Sequence, residues 1–453
     1  MAGPKLQLFV ETTKRLIRRQ ATANLKRIVG KTHPADIAHL FDHFIEREQR
    51  VIFDLIDDSE KAAEVLSEID KASGVQLLEG MERARITEIL QAMSSDDRAD
   101  FISELPEELA EEILNLMAKK HSDQVEDLLS YQEDTAGRIM TPDFFALTGE
   151  TSAKEAIEAI QKASEAEMVF YVFVVDDRGH LVGVISLRQL ITVPPTKKLK
   201  EIMVTDVISV RTDMDQEEVA RVVEKYNILA VPVVDEENKL VGIITVDDII
   251  DVIREEETED IMRMAGTHED EFVYRDNVFK VSRFRLPWIL TNLLGGLITG
   301  YLLWLFRMTI RDVLALVTFI PVITAMGGNV GVQSASIMVR GFATGRVDFD
   351  SLKRFLFREV RVGVIMGATC GFAVGLVGYF WHGNPTIGLV VGTAMVVAMT
   401  IASTMGTLTP AFFKKIKVDP AIASGPFVTT ANDITGILVY FGVATLFLKY
   451  LIR

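Results

Sequence analysis

Asp433 is the one formal charge in an otherwise uncharged stretch from Ala421 to Leu448, and it lies near the middle. An Asp at the centre of a membrane helix costs roughly 2.5–3.5 kcal/mol on insertion scales, so it is expected to face a pore or a partner. Hydrogen bonding between packed helices is the structural alternative. No uncharged stretch of this chain carries a Lys or Arg to neutralise it, which points to a cation. A second stretch supplies neutral oxygens: Pro321-Val-Ile-Thr-Ala-Met-Gly-Gly-Asn-Val-Gly-Val-Gln-Ser-Ala-Ser336. Small residues there permit close helix approach, and the amides and hydroxyls are potential ligands. The Asp433 stretch is itself interrupted by Ser424-Gly-Pro-Phe-Val-Thr-Thr-Ala-Asn-Asp433. Irregular backbone at membrane depth is tolerated where it lines a cavity.

These ligands suit a hard cation. Mg²⁺ wants octahedral oxygen at about 2.0–2.1 Å, sheds water reluctantly, and is usually held by one or two carboxylates with waters retained. One Asp per chain, doubled by a two-fold axis, fits that description. No His or Cys lies close enough in sequence to suggest a softer metal. Cys370 and His382 read as a packing residue and an outer-loop residue.

A different carboxylate pattern follows Thr245. The run Asp247-Asp-Ile-Ile-Asp-Val-Ile-Arg-Glu-Glu-Glu-Thr-Glu-Asp260 reads as a helix whose Asp248, Asp251, Glu255, Glu256 and Glu259 share one face. Like charges at i,i+4 cost a few tenths of a kcal/mol each, and a solvated acidic face is the ordinary explanation. Two features favour more. The run leads straight towards the first apolar stretch, and a second acidic cluster, Asp96-Asp-Arg-Ala-Asp100, lies upstream. Divalent cations would allow two such surfaces to approach.

The elements that carry these residues follow from composition. The chain has 453 residues, 49% hydrophobic and 25% charged. Residues 283–453 carry a net charge of +9 and residues 1–282 a net of −25. Such an acidic soluble half excludes a nucleic-acid partner, because phosphate binding needs a basic surface. A single cysteine excludes an intramolecular disulfide framework. No nucleophile–base pair, phosphate loop or catalytic metal motif appears, so an enzyme is not expected. The basic N-terminus lacks the roughly 7–15-residue apolar core of a secretory signal, and the acidic half is expected in the cytosol.

Uncharged runs at Leu286–Phe306, Val313–Val339 and Val362–Phe413, with Ala421–Leu448, are each long enough to span a bilayer. Splitting the third at Trp381-His-Gly-Asn-Pro385 gives five spans in the lipid bilayer of a cell membrane. Arg340, Arg346, Lys353, Arg354, Arg358 and Arg361 lie between spans 2 and 3, and Lys414, Lys415 and Lys417 between spans 4 and 5. The positive-inside rule puts both loops in the cytoplasm, with the N-terminal half inside and the C-terminus outside.

Upstream, residues 1 to about 130 show helical spacing and a weak 36-residue repeat, Ser59-Glu-Lys-Ala-Ala-Glu-Val-Leu and Ser95-Asp-Asp-Arg-Ala-Asp-Phe-Ile. Each Ser is expected to cap its helix, and the period suggests stacked helix pairs. A clearer duplication comes next. Ile139-Met140 recurs as Ile202-Met203, and Phe173-Val-Val-Asp-Asp-Arg-Gly-His-Leu-Val-Gly-Val-Ile-Ser186 as Pro232-Val-Val-Asp-Glu-Glu-Asn-Lys-Leu-Val-Gly-Ile-Ile-Thr245. The pattern resembles a tandem pair of CBS domains. That resemblance implies a regulatory module able to bind an adenine nucleotide such as ATP, with Thr245 and Asp248 in the ribose-and-phosphate positions. Gln189 stands where the first repeat would need the acid.

In order, these parts resemble the MgtE family of magnesium channels: a helical N-terminal domain, a CBS pair, an acidic connecting helix, and five spans bearing GGN-x-G-x-Q and SGP…ND. The resemblance covers essentially the whole chain. It implies an all-α helical-repeat domain (1–136), α/β tandem CBS domains (137–253), a connecting helix (254–282) and a five-helix transmembrane domain (283–453). It further implies a homodimer whose pore, between the subunits, is lined by Asp433, Gly327, Gly328, Asn329 and Thr429. Cytosolic Mg²⁺ would close the pore through Glu64, Asp96, Asp100, Gly137, Asp215, Glu217, Asp248, Asp251, Glu256, Glu259 and Asp260. Asn227 stands where an acid is expected, and only its neutral oxygen could ligate. The rival expectations are a carrier coupled to Na⁺ or H⁺, which more than one ion-binding group inside the spans would favour, and a membrane-anchored nucleotide sensor.

Overall fold

The computed structural model describes residues 3–41, 43–162, 170–268, 271, 278–423 and 425–451. They form two compact units, 1–253 and 254–453. Ser424 of the SGP segment, and residues 269–270 and 272–277 before the first span, lie outside the described residues.

The first unit opens with ten short helices, α1–α10, between Gly3 and Leu129. The nine after α1 are too short to be stable alone, and apolar residues such as Leu66, Leu78, Leu90 and Ile102 join in one core. Basic side chains cap the C-terminal ends of neighbouring helices, whose last carbonyls have no partner within the helix. Lys61 donates to the carbonyls of Val29 (2.8 Å) and Thr32 (2.5 Å), and Arg98 to those of Leu90 (2.8 Å) and Met93 (2.7 Å). The two expected Ser caps move by one residue. In α5 (Ser59–Ser67) the cap is Asp58, whose carboxylate accepts from the Glu60 N–H. In α8 (Ser95–Ser103) it is Ser94, by backbone conformation alone. Asp58 takes the position because an acceptor one residue earlier reaches the open N–H groups of the first turn.

The duplicated segment builds two three-stranded sheets. In one, β1 (Ala146–Thr148) runs parallel to β2 (Tyr171–Val175), which runs antiparallel to β3 (Leu181–Ser186). In the other, β4 (Val210–Arg211), β5 (Ala230–Val234) and β6 (Leu240–Thr245) repeat the arrangement. Helices α11 (Ala153–Ile160), α12 (Leu187–Thr192) and α13 (Gln216–Tyr226) connect and follow them. The repeats lock reciprocally. Met203 packs on Gly183 of the first repeat and Met140 on Gly242 of the second, each where a Cβ would meet the sulfur at about 2.5–2.6 Å. The repeated Ile-Met and Val-Gly pairs are thus one contact made twice.

Helix α14 (Val246–Ala265) follows β6 directly. It begins inside the segment expected to be CBS and stops well short of 282. Thr245 opens it, and Gly266, at φ +77°, closes it in a conformation that suits glycine. Residues 278–282 already belong to the first membrane helix.

Five helices are long and apolar enough to cross a membrane. They are α15 (Val278–Leu305), α17 (Ile320–Ala343) with its lead-in from Leu314, α18 (Leu352–His382), α19 (Pro385–Lys415) and α20 (Pro426–Leu446). The short α16 (Arg307–Asp312) lies between the first two, and α21 (Leu448–Leu451) ends the described chain. The WHGNP turn forms as its residues dictate. Gly383 takes φ +63° after α18, the Asn384 side chain accepts from the Thr386 N–H at 2.8 Å, and Pro385 starts α19. Helix α19 is the central post, with 56% of its apolar window buried against 6% for α15. Gly363, Gly367, Gly371 and Gly375 recur every four residues along α18. A Cβ on Gly371 would lie 2.5 Å from the Gly392 carbonyl oxygen of α19.

Candidate ion pathway and regulatory carboxylates

Helix α17 has two faces at the 3.6-residue period. Gly327, Val330, Gly331, Ser334 and Met338 are buried against the other membrane helices. Pro321, Thr324, Ala325, Gly328, Asn329, Val332 and Gln333 line an open groove of about 540 Å³. From α20 come Thr429 and Asp433, one turn apart on one face. The two helices meet closely at Gly328, where an added Cβ would touch Thr429 at 3.6 Å. On its other flank α20 is fixed to α15: Thr430 donates to Asn292 at 3.0 Å, over Gly295.

The structure therefore brings Asp433, Gly328, Asn329 and Thr429 to one groove; Gly327, buried as Gly328 is, is not among the lining residues. No basic residue is among the groove's lining residues. Gln333 and Thr324 join the wall and extend the candidate set. Two further residues stand out: Asn432, which the motif includes without a role, and Glu359, which the sequence reading missed. Asn432 is 1% exposed, packs against Gly331, and neither of its side-chain polar atoms has a hydrogen-bond partner among the described residues. Glu359 is 4% exposed, although it sits among the basic residues assigned to the loop between spans 2 and 3. Helix α18 runs back to Leu352, so Glu359 falls inside the helix bundle. Its signal was available, since it continues the four-residue ladder of Gly363, Gly367 and Gly371.

The regulatory carboxylates are arranged otherwise. Asp100 accepts from Lys71 at 2.8 Å and from the buried Arg138 at 3.0 Å. Glu217 pairs with Arg221 at 2.5 Å, and Asp215 caps α13 through the Glu217 N–H at 2.9 Å. Asn227 ends that helix at φ +51°. The Gly137 N–H donates to the Thr212 carbonyl at 2.9 Å, and the Tyr131 ring covers its α-carbon. Glu64 and Asp97 line a cleft of about 320 Å³ with His33 and Glu68, while Asp96 is buried beside it in α8. Burial raises the Asp97 carboxyl above the usual range, opposed by hydrogen bonds from Ser67 and Ser94. Asp251 lies on α14 in the first unit. Glu256, Glu259 and Asp260 fall in the second, where Glu259 and Asp419 both pair with Arg263. Among the described residues, no three His, Cys, Asp or Glu side chains converge as a metal cluster.

At the nucleotide motif, Asp248 accepts from both the N–H (3.0 Å) and the hydroxyl (2.5 Å) of Thr245. Burial pushes its carboxyl up to about 6 against those hydrogen bonds, with the charge of Asp97 adding a smaller push. In the first repeat Gln189 is spent on the Ile202 carbonyl at 2.7 Å. The Thr245–Asp248 pair at a helix start suits a ribose and its phosphates, whereas the Ser186–Gln189 equivalent does not.

A helical stack, a CBS pair and a five-helix bundle with a polar groove around Asp433 define the class: a membrane transport protein. Family models match each part, the MgtE intracellular N domain at 32–134, the CBS domain at 136–195 and 199–255, and the MgtE divalent cation transporter at 320–443. The chain is 35% identical to the magnesium transporter MgtE of Bacillus subtilis over 96% of both chains. It is 36% identical to that of Thermus thermophilus, over 94% of this chain and 96% of the other. Among solved structures, the cytosolic domain of the Mg²⁺ channel MgtE in complex with ATP superposes with a TM-score of 0.51 at 37% identity, covering 54% of this chain and 99% of that one. The chain belongs to the MgtE family.

Proposed function

We propose that this chain carries Mg²⁺ across the cell membrane through the groove between α17 and α20. The observation that carries the reading is the pairing of Asp433 with Thr429, one turn apart, opposite the neutral oxygens of Asn329 and Gln333. Mg²⁺ retains most of its water, so Asp433 neutralises the ion while amides and hydroxyls accept hydrogen bonds from its hydration shell. The groove is open along one side, and a second copy across a two-fold axis would close it and bring a second Asp433. The basic residues after α17 and α19 favour a cytoplasmic position for those helix ends and for the acidic unit. The C-terminus then lies outside.

Cytosolic Mg²⁺ gates the pathway. When it falls, the acidic surfaces around Asp96, Asp100, Asp248 and α14 lose bridging cations and separate. When it rises, Mg²⁺ competes for carboxylates now held by Lys, Arg and capping N–H groups, and the bridges return. Such bridges act over short distances, because the Debye length is about 8 Å at physiological salt. ATP binding at Thr245–Asp248 would share Asp248 with that metal network, which makes the two ligands mutually sensitive.

Purified protein in liposomes tests this. Mg²⁺ influx down its own gradient, suppressed by Mg²⁺ on the cytosolic face and reduced to background in Asp433→Ala, is the expected result. Influx that requires a Na⁺ or H⁺ gradient would instead establish a coupled carrier. Unaltered flux in Asp433→Ala would remove the groove from the mechanism.

A further inference from the structure

Two seams in the membrane unit are made by glycine. Gly363, Gly367 and Gly371 of α18 lie against the backbone of α19, and Gly406 of α19 lies against the Gly331 carbonyl of α17. Such seams permit close approach but lack the knobs that fix how far one helix slides along another. The polar contacts beside them are directional. Ser334 of α17 donates to the Glu359 carboxylate at 3.0 Å and lies 3.1 Å from the Ser403 hydroxyl of α19. Ser403 also donates to the Glu359 backbone carbonyl at 3.0 Å. Ser334 and Ser403 are 3% and 0% exposed. Among the described residues, the cation beside the carboxylate is its neighbour Arg358, 3.1 Å from the other oxygen and itself 57% exposed.

A carboxylate placed within a membrane bundle demands a task. We infer that Glu359 is a positioning residue: by tying α17 to α18 and α19 it sets the axial register of α17, and with it the oxygens that the groove presents to the ion. This rests on the groove being the ion path. Ser334 directly follows Gln333 and lies on the face opposite Gly328 and Asn329, so the tether acts on the groove wall from behind. A slip of one residue moves each oxygen by about 1.5 Å along the helix, beyond the roughly 0.5 Å within which a binding constellation must be held. A carboxylate suits the role because it accepts strongly from the Ser334 hydroxyl, while the backbone carbonyl of the same residue takes the Ser403 proton.

Full-length protein in liposomes, assayed for Mg²⁺ flux and for the Mg²⁺/Ca²⁺ flux ratio, tests the inference. Glu359→Ala should lower Mg²⁺ flux roughly tenfold or more, as loss of supporting shells around metal sites does, and should also shift the ion ratio. Glu359→Gln, which keeps an acceptor for Ser334, should hold both within about threefold of wild type. An unchanged ratio in Glu359→Ala overturns the inference, as does a Gln variant as impaired as Ala. If Glu359→Ala does not remain monodisperse in detergent, Ser334→Ala cuts the same tether and must shift the ratio, and no shift overturns it. Failure of the underlying reading is distinguishable: wild type would not conduct, or Asp433→Ala would conduct normally.

Discussion

Asp248 and Asp433 are both partly buried aspartates on helices with apolar neighbours, yet they are treated differently. Asp248 accepts from the N–H and hydroxyl of Thr245 through one of its oxygens, and Asp100 is shared by Lys71 and Arg138. Asp433 faces a groove whose lining is neutral. In the acidic unit the chain's own cations and capping groups answer these carboxylates, so on the proposed reading Mg²⁺ there modulates. No basic side chain is among the lining residues of the membrane groove, so on the proposed reading its carboxylate is matched by the ion that passes through.

The same substitution made at both places sharpens that contrast. Asp433→Asn keeps the shape and removes the charge, and Mg²⁺ flux in liposomes should fall to the background of empty vesicles. Flux near wild type would mean that neutral oxygens suffice. Next in size, Gly371→Val forces a side chain into the Gly392 backbone. A loss of about 1–3 kcal/mol in detergent stability, read by thermal melting, is expected for such overpacking. Arg138→Ala removes one of two cations on Asp100 and a hydrogen bond to Ser103. Urea unfolding of residues 1–253 should register about 1–2 kcal/mol.

Asp248→Asn is expected to act through pH. The folded state raises this carboxyl from its ordinary value to about 6, so folding takes up a proton in between. Its contribution to stability is greatest near pH 4, declines as pH rises to about 6, and is constant above. The Asn variant should lack that decline, and parallel profiles from denaturant titrations between pH 4 and 7 would refute the assignment. Smallest is Asn227→Gly at the left-handed end of α13. It should gain no more than about 0.5 kcal/mol, and a loss there would indicate that the Asn side chain holds something.

Much of this was legible beforehand for local reasons. Turn chemistry at Gly383-Asn384-Pro385 and apolar length gave the five spans, because both act within a few residues. Duplicated Ile-Met and Val-Gly pairs gave the CBS pair. The groove was half legible: Asp433 and the GGN segment stand out by type, but which side of α17 faces α20 depends on packing. Glu359 was missed for another reason: the basic residues around it read as a loop, although it continues the Gly363, Gly367 and Gly371 ladder and the helix runs through it.

Sequence alone determined the charge division of the chain, its spans, its repeat and its one mid-span carboxylate, since each follows from residue type and spacing along the backbone. Tertiary structure decided which oxygens meet: that Asp433 shares a groove with Asn329 and Gln333, that Asp100 is shared by Lys71 and Arg138, and that Glu359 ties Ser334 and Ser403. Those meetings join residues 25 to more than 100 positions apart, and only the packing of one helix on another sets them.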